Sequence, residues 1–236
     1  PDLVFGFGGY VSVPLVMLAK FSGKKAFIHE QNVVPGRANR FLSGFADKIA
    51  VTFLQTQDYL KADRKKIFLS RYPLRDSLKP VEKRAALEFF GFQAGLFTIL
   101  VLGGSQGSRH INENFLEALK SNRNLNRLQV IHLSGRADFQ RTKEATAALS
   151  LRSKVFAFLS EMNYAYSAAD LVIGRSGAGS VHEIMRFGLA SLLIPYPHAG
   201  AHQKENARVL AQRGASILLE DEKLTPEVLN GLLDIF

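Results

Sequence analysis

At 236 residues the chain has room for one large or two modest domains, because typical domains run roughly 100–150 residues and single cores stop growing near ~250. Its 47% hydrophobic and 22% charged residues are ordinary for a globular protein, and the absence of cysteine excludes a disulfide framework, a thiolate metal site and a cysteine nucleophile. The net charge of +9 is uneven: residues 1–80 hold 13 Lys/Arg against 6 Asp/Glu, a net of +7.

The chain begins at Pro1, without Met and directly before a strand-like run, so it is expected to be a piece of a longer protein. In chain order, strand 3–7 leads through Gly6-Phe-Gly-Gly-Tyr-Val-Ser-Val-Pro14 into helix 13–21, then strand 26–29, helix 36–44, strand 48–51 and strand 66–69. After the proline-bearing stretch 71–80, helix 82–89 is followed by strand 98–102, helix 111–121, strand 129–133, helix 138–149, strand 155–158 and helix 162–169. Strand 171–174, helix 180–187, strand 191–195, helix 203–212, strand 216–219 and helix 226–233 complete the pattern. Short runs apolar on both faces, separated by helices, predict an α/β protein with parallel sheet covered on each side. The final helix carries its own start signals, with Thr225 as N-cap and Pro226 in the first turn. Two domains are expected, 1–75 and 76–236, the second a complete doubly wound unit and the first only about four strands. No apolar run approaches the ~18–20 residues of a membrane span, and no signal peptide is visible.

Glycine-bearing turns follow several predicted strands. Arg175-Ser-Gly-Ala-Gly-Ser180 joins a buried strand to a helix start, the geometry that offers free backbone amides to an anion. Glu183 falls one turn into that helix, within reach of two ribose hydroxyls; the plainer alternative is a first-turn Glu favoured by the helix dipole. Gly103-Gly-Ser-Gln-Gly-Ser-Arg109 is the best phosphate cradle, with Ser105 adding a hydroxyl and Arg109 and Asn112 just beyond. Neither this turn nor the one at Gly6 has the G-x-G-x-x-G spacing, which disfavours a dinucleotide-dependent dehydrogenase. His29-Glu-Gln-Asn32 emerges from a buried strand, where polar groups need partners or a ligand. Glu30 is therefore either a general base or part of a network bracing the next loop. His198 and His202 would bind a metal only from one helix, which the Pro and Gly nearby argue against. No paired acidic motif lies near the glycine turns, and no metal or other cofactor is expected.

Taken together, Gly8-Gly-Tyr-Val-Ser-Val-Pro14, His29-Glu-Gln-Asn32, Gly103-Gly-Ser-Gln-Gly-Ser-Arg109, Arg175-Ser-Gly-Ala178 with Glu183, and His202-Gln203 with Asn206-Ala207 resemble the MurG family of glycosyltransferases, family 28, across essentially the whole chain. That resemblance implies a GT-B fold: two Rossmann-like domains facing a cleft, the first truncated here. It implies transfer of N-acetylglucosamine from UDP-GlcNAc to the muramoyl 4-hydroxyl of undecaprenyl-pyrophosphoryl-MurNAc-pentapeptide, converting lipid I to lipid II in peptidoglycan synthesis. Carried over by position, Asn32, Arg75, Ser105, Leu159, Ala178, Gly179, Ser180, Glu183 and Gln203 would bind the donor. Within that set Leu159 would read the uracil edge through its backbone, and Glu183 would hold the ribose. Gly8, Gly9, Tyr10 and Ser12 would face the acceptor pyrophosphate, and Glu30 is the one base candidate within the chain.

The same resemblance implies a peripheral protein on the cytoplasmic face of the bacterial inner membrane, its basic first domain against an anionic surface, with no nucleic-acid partner. Departures stand at Val13, where the family has Gly, and at Tyr72, where it has Asn. The family's first glycine loop with its His, and its last helix, are expected to lie outside this chain. Two alternatives share the fold: a UDP-GlcNAc epimerase, or a UDP-sugar-binding module without catalysis.

Overall fold

The computed structural model describes residues 1–234. It divides into two compact units, one of Pro1–Pro73 with Ala199–Asn206, the other of Leu74–His198 with Ala207–Phe236.

The first unit carries a four-stranded parallel sheet of β1 (Leu3–Gly6), β2 (Lys25–Glu30), β3 (Lys48–Val51) and β4 (Ile67–Leu69), in that spatial order. Helices α1 (Ser12–Phe21) and α2 (Arg37–Leu42) connect the first three strands. Pro14 sits in the first turn of α1, where a missing N–H costs no helical bond. Val16, Ala26, Ile28, Leu42, Ile49 and Val51 form the core between sheet and helices. β1 is an edge strand, and Phe5 and Phe7 are exposed together with Leu15, Leu18 and Phe21 of α1.

In the second unit, helix α3 (Lys83–Phe90) precedes β5 (Phe97–Leu102), α4 (Arg109–Ser121), β6 (Leu128–Leu133), α5 (Phe139–Ala147), β7 (Arg152–Phe156) and α6 (Met162–Ala168). β8 (Leu171–Gly174), α7 (Ala178–Phe187), β9 (Ala190–Leu193), β10 (Ser216–Leu218) and α9 (Pro226–Leu233) follow, and the helix between β9 and β10, α8 (Ala201–Gln212), has its first half among the residues grouped with the first unit. The six strands are parallel in the order β10-β9-β8-β5-β6-β7. Ile99, Val101, Val130 and Ile173 pack against Ile111, Phe115, Leu119 and Leu229 in the core. This is the doubly wound α/β architecture expected from apolar strands alternating with helices.

Local signals set the element ends. α3 and α7 stop at Gly91 and Gly188, both left-handed at φ 65°, a conformation that costs glycine nothing. Thr225 caps α9, its hydroxyl accepting from the Val228 amide at 3.3 Å. Several boundaries shifted by one to three residues, and two of these shifts have a plain physical reason. β7 begins at Arg152 rather than 155 because it is the sheet edge, where charged residues such as Arg152 and Lys154 are tolerated and an apolar run is not required. α7 begins at Ala178, so the small residues that read as a loop form its first turn.

Candidate functional site

The second unit's strand order decides where a ligand can enter. From β5 the chain builds outward through β6 and β7, then returns to β5's other side with β8, so the winding reverses between β5 and β8. Connections diverge at such a point, and the crevice beyond the strand C-termini is left open. Leu102 and Gly174 are register partners at the ends of β5 and β8. The turns 103–108 and 175–177 therefore leave side by side, each entering a helix start.

The turn after β8 ends in an uncapped helix. Gly177 is the N-cap and contributes no side-chain bond, and the first intrahelical bond is Val181 N–H to the Gly177 carbonyl at 3.0 Å. The amides of Ala178, Gly179 and Ser180 thus have no intrahelical acceptor, and the helix dipole favours an anion in front of them. Glu183 follows on the same helix, half-buried, and accepts a 2.7 Å hydrogen bond from the Tyr166 hydroxyl at Oε2. Burial and the Glu183 charge raise the Tyr166 hydroxyl well above its usual range. Arg75, exposed, is near enough for its charge to oppose that shift.

In the turn after β5 the glycines divide into two kinds. A side chain on Gly103 would collide with the Ser108 amide, and one on Gly107 with the Ser134 carbonyl. Both serve packing of backbone on backbone. Gly104, at φ 83°, has open space where a Cβ would be, and Ser105 beside it is exposed. These two are the part of the turn an anion can approach. Asn112, expected just beyond the cradle, is instead buried and committed. Its amide donates to the Ser134 carbonyl at 3.0 Å and to Asp138 Oδ2 at 2.8 Å, and its Oδ1 accepts from His132 Nε2 at 2.9 Å. Arg141, bonded to both oxygens of Asp138, holds that carboxyl below its ordinary range.

Arg175 is the residue whose importance the sequence did not reveal. It is 7% exposed, yet its guanidinium reaches three other segments. Nη2 donates to Ser108 Oγ at 2.8 Å, while Nη1 donates to the carbonyls of Ile194 at 3.1 Å and Pro195 at 3.3 Å and pairs with Asp221. Asp221 also bonds His110 Nδ1 at 3.1 Å, and the Tyr196 ring lies 5.5 Å from the guanidinium. One planar fork therefore ties the loops after β5, β8 and β9 to the short turn after β10. Its sequence signal was weak, because an Arg after an apolar strand is usually solvated.

Leu159 lies in the segment following β7 with its side chain buried. In the first unit, Gly8 and Gly9 both have positive φ, 89° and 75°, and Ser12 Oγ donates to the Gly9 carbonyl at 2.8 Å. Tyr10 is almost fully exposed.

Glu30 is 2% exposed. Its Oε1 accepts from the amides of Gln31 and Asn32, both at 2.9 Å, and from Asn32 Nδ2 at 3.1 Å. Oε2 accepts from the Gly36 amide at 3.1 Å and Asn39 Nδ2 at 2.8 Å. Five donors saturate the carboxylate's roughly four lone-pair directions, which leaves none for a proton from a reacting hydroxyl. The carboxylate thus braces the loop that follows β2.

Asn32 Oδ1 accepts from Asn206 Nδ2 at 3.0 Å, and Asn206 Oδ1 accepts from the Val33 amide at 3.0 Å. His202 Nδ1 donates to the Val34 carbonyl at 2.7 Å, while His198 lies outside that helix in the turn Pro197–Ala199. The two histidines thus do not form a helical metal pair. Gln203 lies in the first turn of α8, among the residues grouped with the first unit. Among the described residues no group of three or more His, Asp or Glu is placed to hold a metal ion, and no helix is long and apolar enough to cross a membrane.

Known proteins resemble this chain in sequence and fold. Residues 98–235 match the glycosyltransferase family 28 C-terminal domain and residues 1–51 the glycosyltransferase family 28 N-terminal domain. A UDP-N-acetylglucosamine--N-acetylmuramyl-(pentapeptide) pyrophosphoryl-undecaprenol N-acetylglucosamine transferase from Thermodesulfovibrio yellowstonii is 44% identical over 231 residues, covering 97% of this chain and 63% of the relative. Its counterpart from Desulforamulus reducens is 41% identical over 236 residues, with coverage of 97% and 63%. The crystal structure of Acinetobacter baumannii MurG superposes with a TM-score of 0.79 at 33% identity, over 99% of this chain and 64% of that one. A putative UDP-N-acetylglucosamine 2-epimerase from Listeria monocytogenes, at 16% identity and a TM-score of 0.68, shares the fold alone. The chain spans less than two thirds of the length of these relatives. With a family domain matching more than half of it, on the strand order and paired helix starts described above, the chain belongs to glycosyltransferase family 28.

Proposed function

We propose that this chain is the donor-binding part, with a portion of the acceptor side, of an inverting transferase. It would move N-acetylglucosamine from UDP-GlcNAc to the muramoyl 4-hydroxyl of lipid I. The observation that carries the reading is the pair of helix starts at the winding reversal, with Glu183 one turn inside the second. The diphosphate lies against the amides of Ala178, Gly179 and Ser180 and the exposed Ser105, and Glu183 takes the ribose hydroxyls. Leu159 offers its main chain to the uracil. Arg75 approaches the donor as a cation, and Asn32 and Gln203 supply side-chain amides to the sugar.

In the reaction the acceptor hydroxyl attacks the anomeric carbon, its proton passes to a base, and UDP leaves with the bonding electrons. Preorganised amides stabilise the charge developing on the diphosphate, at about 3 kcal/mol for each well-placed donor. Glu30 serves in this scheme as a positioning group for the Asn32 loop, because its lone pairs are already taken. Gly8, Gly9, Tyr10 and Ser12 face the acceptor pyrophosphate. The exposed Leu18 and Phe21 beside Lys20, Lys24 and Lys25 suit an anionic membrane surface, at ~1 kcal/mol for each basic residue near it, which supports peripheral attachment to the cytoplasmic face of the inner membrane.

The test is calorimetric titration of the chain with UDP and UDP-GlcNAc, followed by an assay of labelled sugar transfer to lipid I. Glu183→Ala should weaken UDP binding by roughly 1.5–3 kcal/mol, the range for a hydrogen bond to a charged group. Unchanged UDP affinity in that variant removes Glu183 from the site. Release of epimerised sugar without acceptor sinks the transferase reading.

A further inference from the structure

We propose that Tyr166 is a positioning residue that sets ribose selectivity, its hydroxyl pinning the Glu183 carboxylate in the one orientation that presents its remaining lone pairs to the sugar hydroxyls. The inference rests on the proposed role of Glu183 and deepens it.

Three observations support it. The Tyr166 hydroxyl donates to Glu183 Oε2 at 2.7 Å, short and charge-assisted, the stronger kind of hydrogen bond. The tyrosine is 1% exposed, and its ring stacks on Phe187 at 5.1 Å with 29° between planes. Phe187 lies one helical turn beyond Glu183 on α7, so the ring is seated along the same face that carries the carboxylate. The tyrosine therefore cannot turn away without giving up a packed contact. Burial and the neighbouring negative charge keep the proton on the hydroxyl, so the tyrosine is the donor and Glu183 the acceptor throughout the neutral pH range.

A free glutamate has three side-chain torsions to freeze when it binds a ligand. Here Tyr166 has frozen them in advance while occupying only one oxygen direction. A carboxylate offers about four such directions, so capacity for two ribose hydroxyls remains. Ordering before the ligand arrives strengthens binding only for ligands that use the ordered group, which makes the effect specific to the ribose.

The experiment compares UDP with its 2′,3′-dideoxy counterpart by calorimetry on wild type, Tyr166→Phe, Glu183→Ala and the double variant, with thermal unfolding of each. Phenylalanine keeps the ring and its stacking on Phe187, so the fold should persist. The expected result is an affinity for UDP lower by about tenfold in Tyr166→Phe, the loss of one charge-assisted hydrogen bond, with dideoxy-UDP affinity unchanged. In the Glu183→Ala background the tyrosine substitution should have no further effect. Equal losses for both nucleotides, or full UDP selectivity retained in Tyr166→Phe, would overturn the inference while leaving the Glu183 site intact. A wild type that binds UDP and dideoxy-UDP alike removes the ribose reading and this inference with it.

Discussion

Arg175 and Ser108, 67 positions apart, meet through a 2.8 Å hydrogen bond from guanidinium to hydroxyl. Ser108 is also the N-cap of α4, its Oγ accepting from the Ile111 amide at 3.4 Å. The contact thus links the helix start after β5 to the loop after β8, the two turns proposed to grip a diphosphate. Losing the guanidinium would strand the Asp221 carboxylate, which is only 15% exposed, and free Ser108. Arg175→Met should destabilise the fold by about 3 kcal/mol, as breaking a buried ion pair does. Arg175→Lys, which keeps the charge but not the fork, should cost less in urea unfolding yet still weaken UDP binding. Equal UDP affinity in wild type and Arg175→Lys would show that the fork does not shape the site.

Acid should unfold the second unit earlier than its carboxylates alone require. His132 is fully buried in β6, donates from Nε2 to Asn112, and has no partner for Nδ1. Burial pushes its pKa down to about 4. Because the folded pKa lies below the unfolded one, the unfolded chain binds the extra proton. Stability is then full above about pH 6.5 and falls as the pH drops toward about 4. Between pH 7.5 and 5 the loss from this residue should be about 2 kcal/mol. His29, in the first unit, is also lowered chiefly by burial and gives that unit a loss of the same sign. Urea unfolding at several pH values, with NMR titration of the His132 ring, checks this. A ring that protonates near pH 6.5 in the folded protein would refute it.

Two glycines three residues apart should respond differently to the same change. Gly107→Ala drives a Cβ into the Ser134 carbonyl and should cost more than about 3 kcal/mol, since backbone cannot yield as a side chain does. Gly104→Ala meets open space and is penalised only by its φ of 83°, at about 1–2 kcal/mol. UDP affinity should nevertheless fall in Gly104→Ala, because the added methyl occupies the approach to the turn. Thermal unfolding and calorimetry on both variants separate the two roles.

Asn206 is fully buried and bonds both Asn32 and the Val33 amide. Asn206→Ala should leave that amide unpaired and destabilise the first unit by about 1–3 kcal/mol. Amide hydrogen exchange at Val33 should accelerate; unchanged protection would mean another group takes its place.

How much of this was legible before folding follows from the range of each interaction. The strands and helices were readable because burial on both faces of a parallel sheet demands continuous apolar runs, and caps such as Thr225 act within one turn. The edge strand β7 was misplaced for the same reason, since an edge relaxes that demand. The turns at Gly103 and Arg175 announced themselves through small residues at strand ends, and Glu183 through its helical spacing. Their division of labour did not. Whether a glycine serves packing or access depends on what lies beside it, and Gly107 meets Gly135 only after β5 and β6 pair. Glu30 offered the same carboxylate to two readings, and the donors from Gly36 and Asn39 that brace it come from residues six and nine positions further on.

Local chemistry is written in neighbouring residues, so composition, periodicity and turn glycines sufficed for the α/β class, and the family resemblance rested on the motifs themselves. The partners of Arg175, Asn206 and Tyr166 lie 17 to 174 positions away. A side chain's function there depends on which distant groups the folded chain brings to it, and that depends on strand order, which no local pattern encodes.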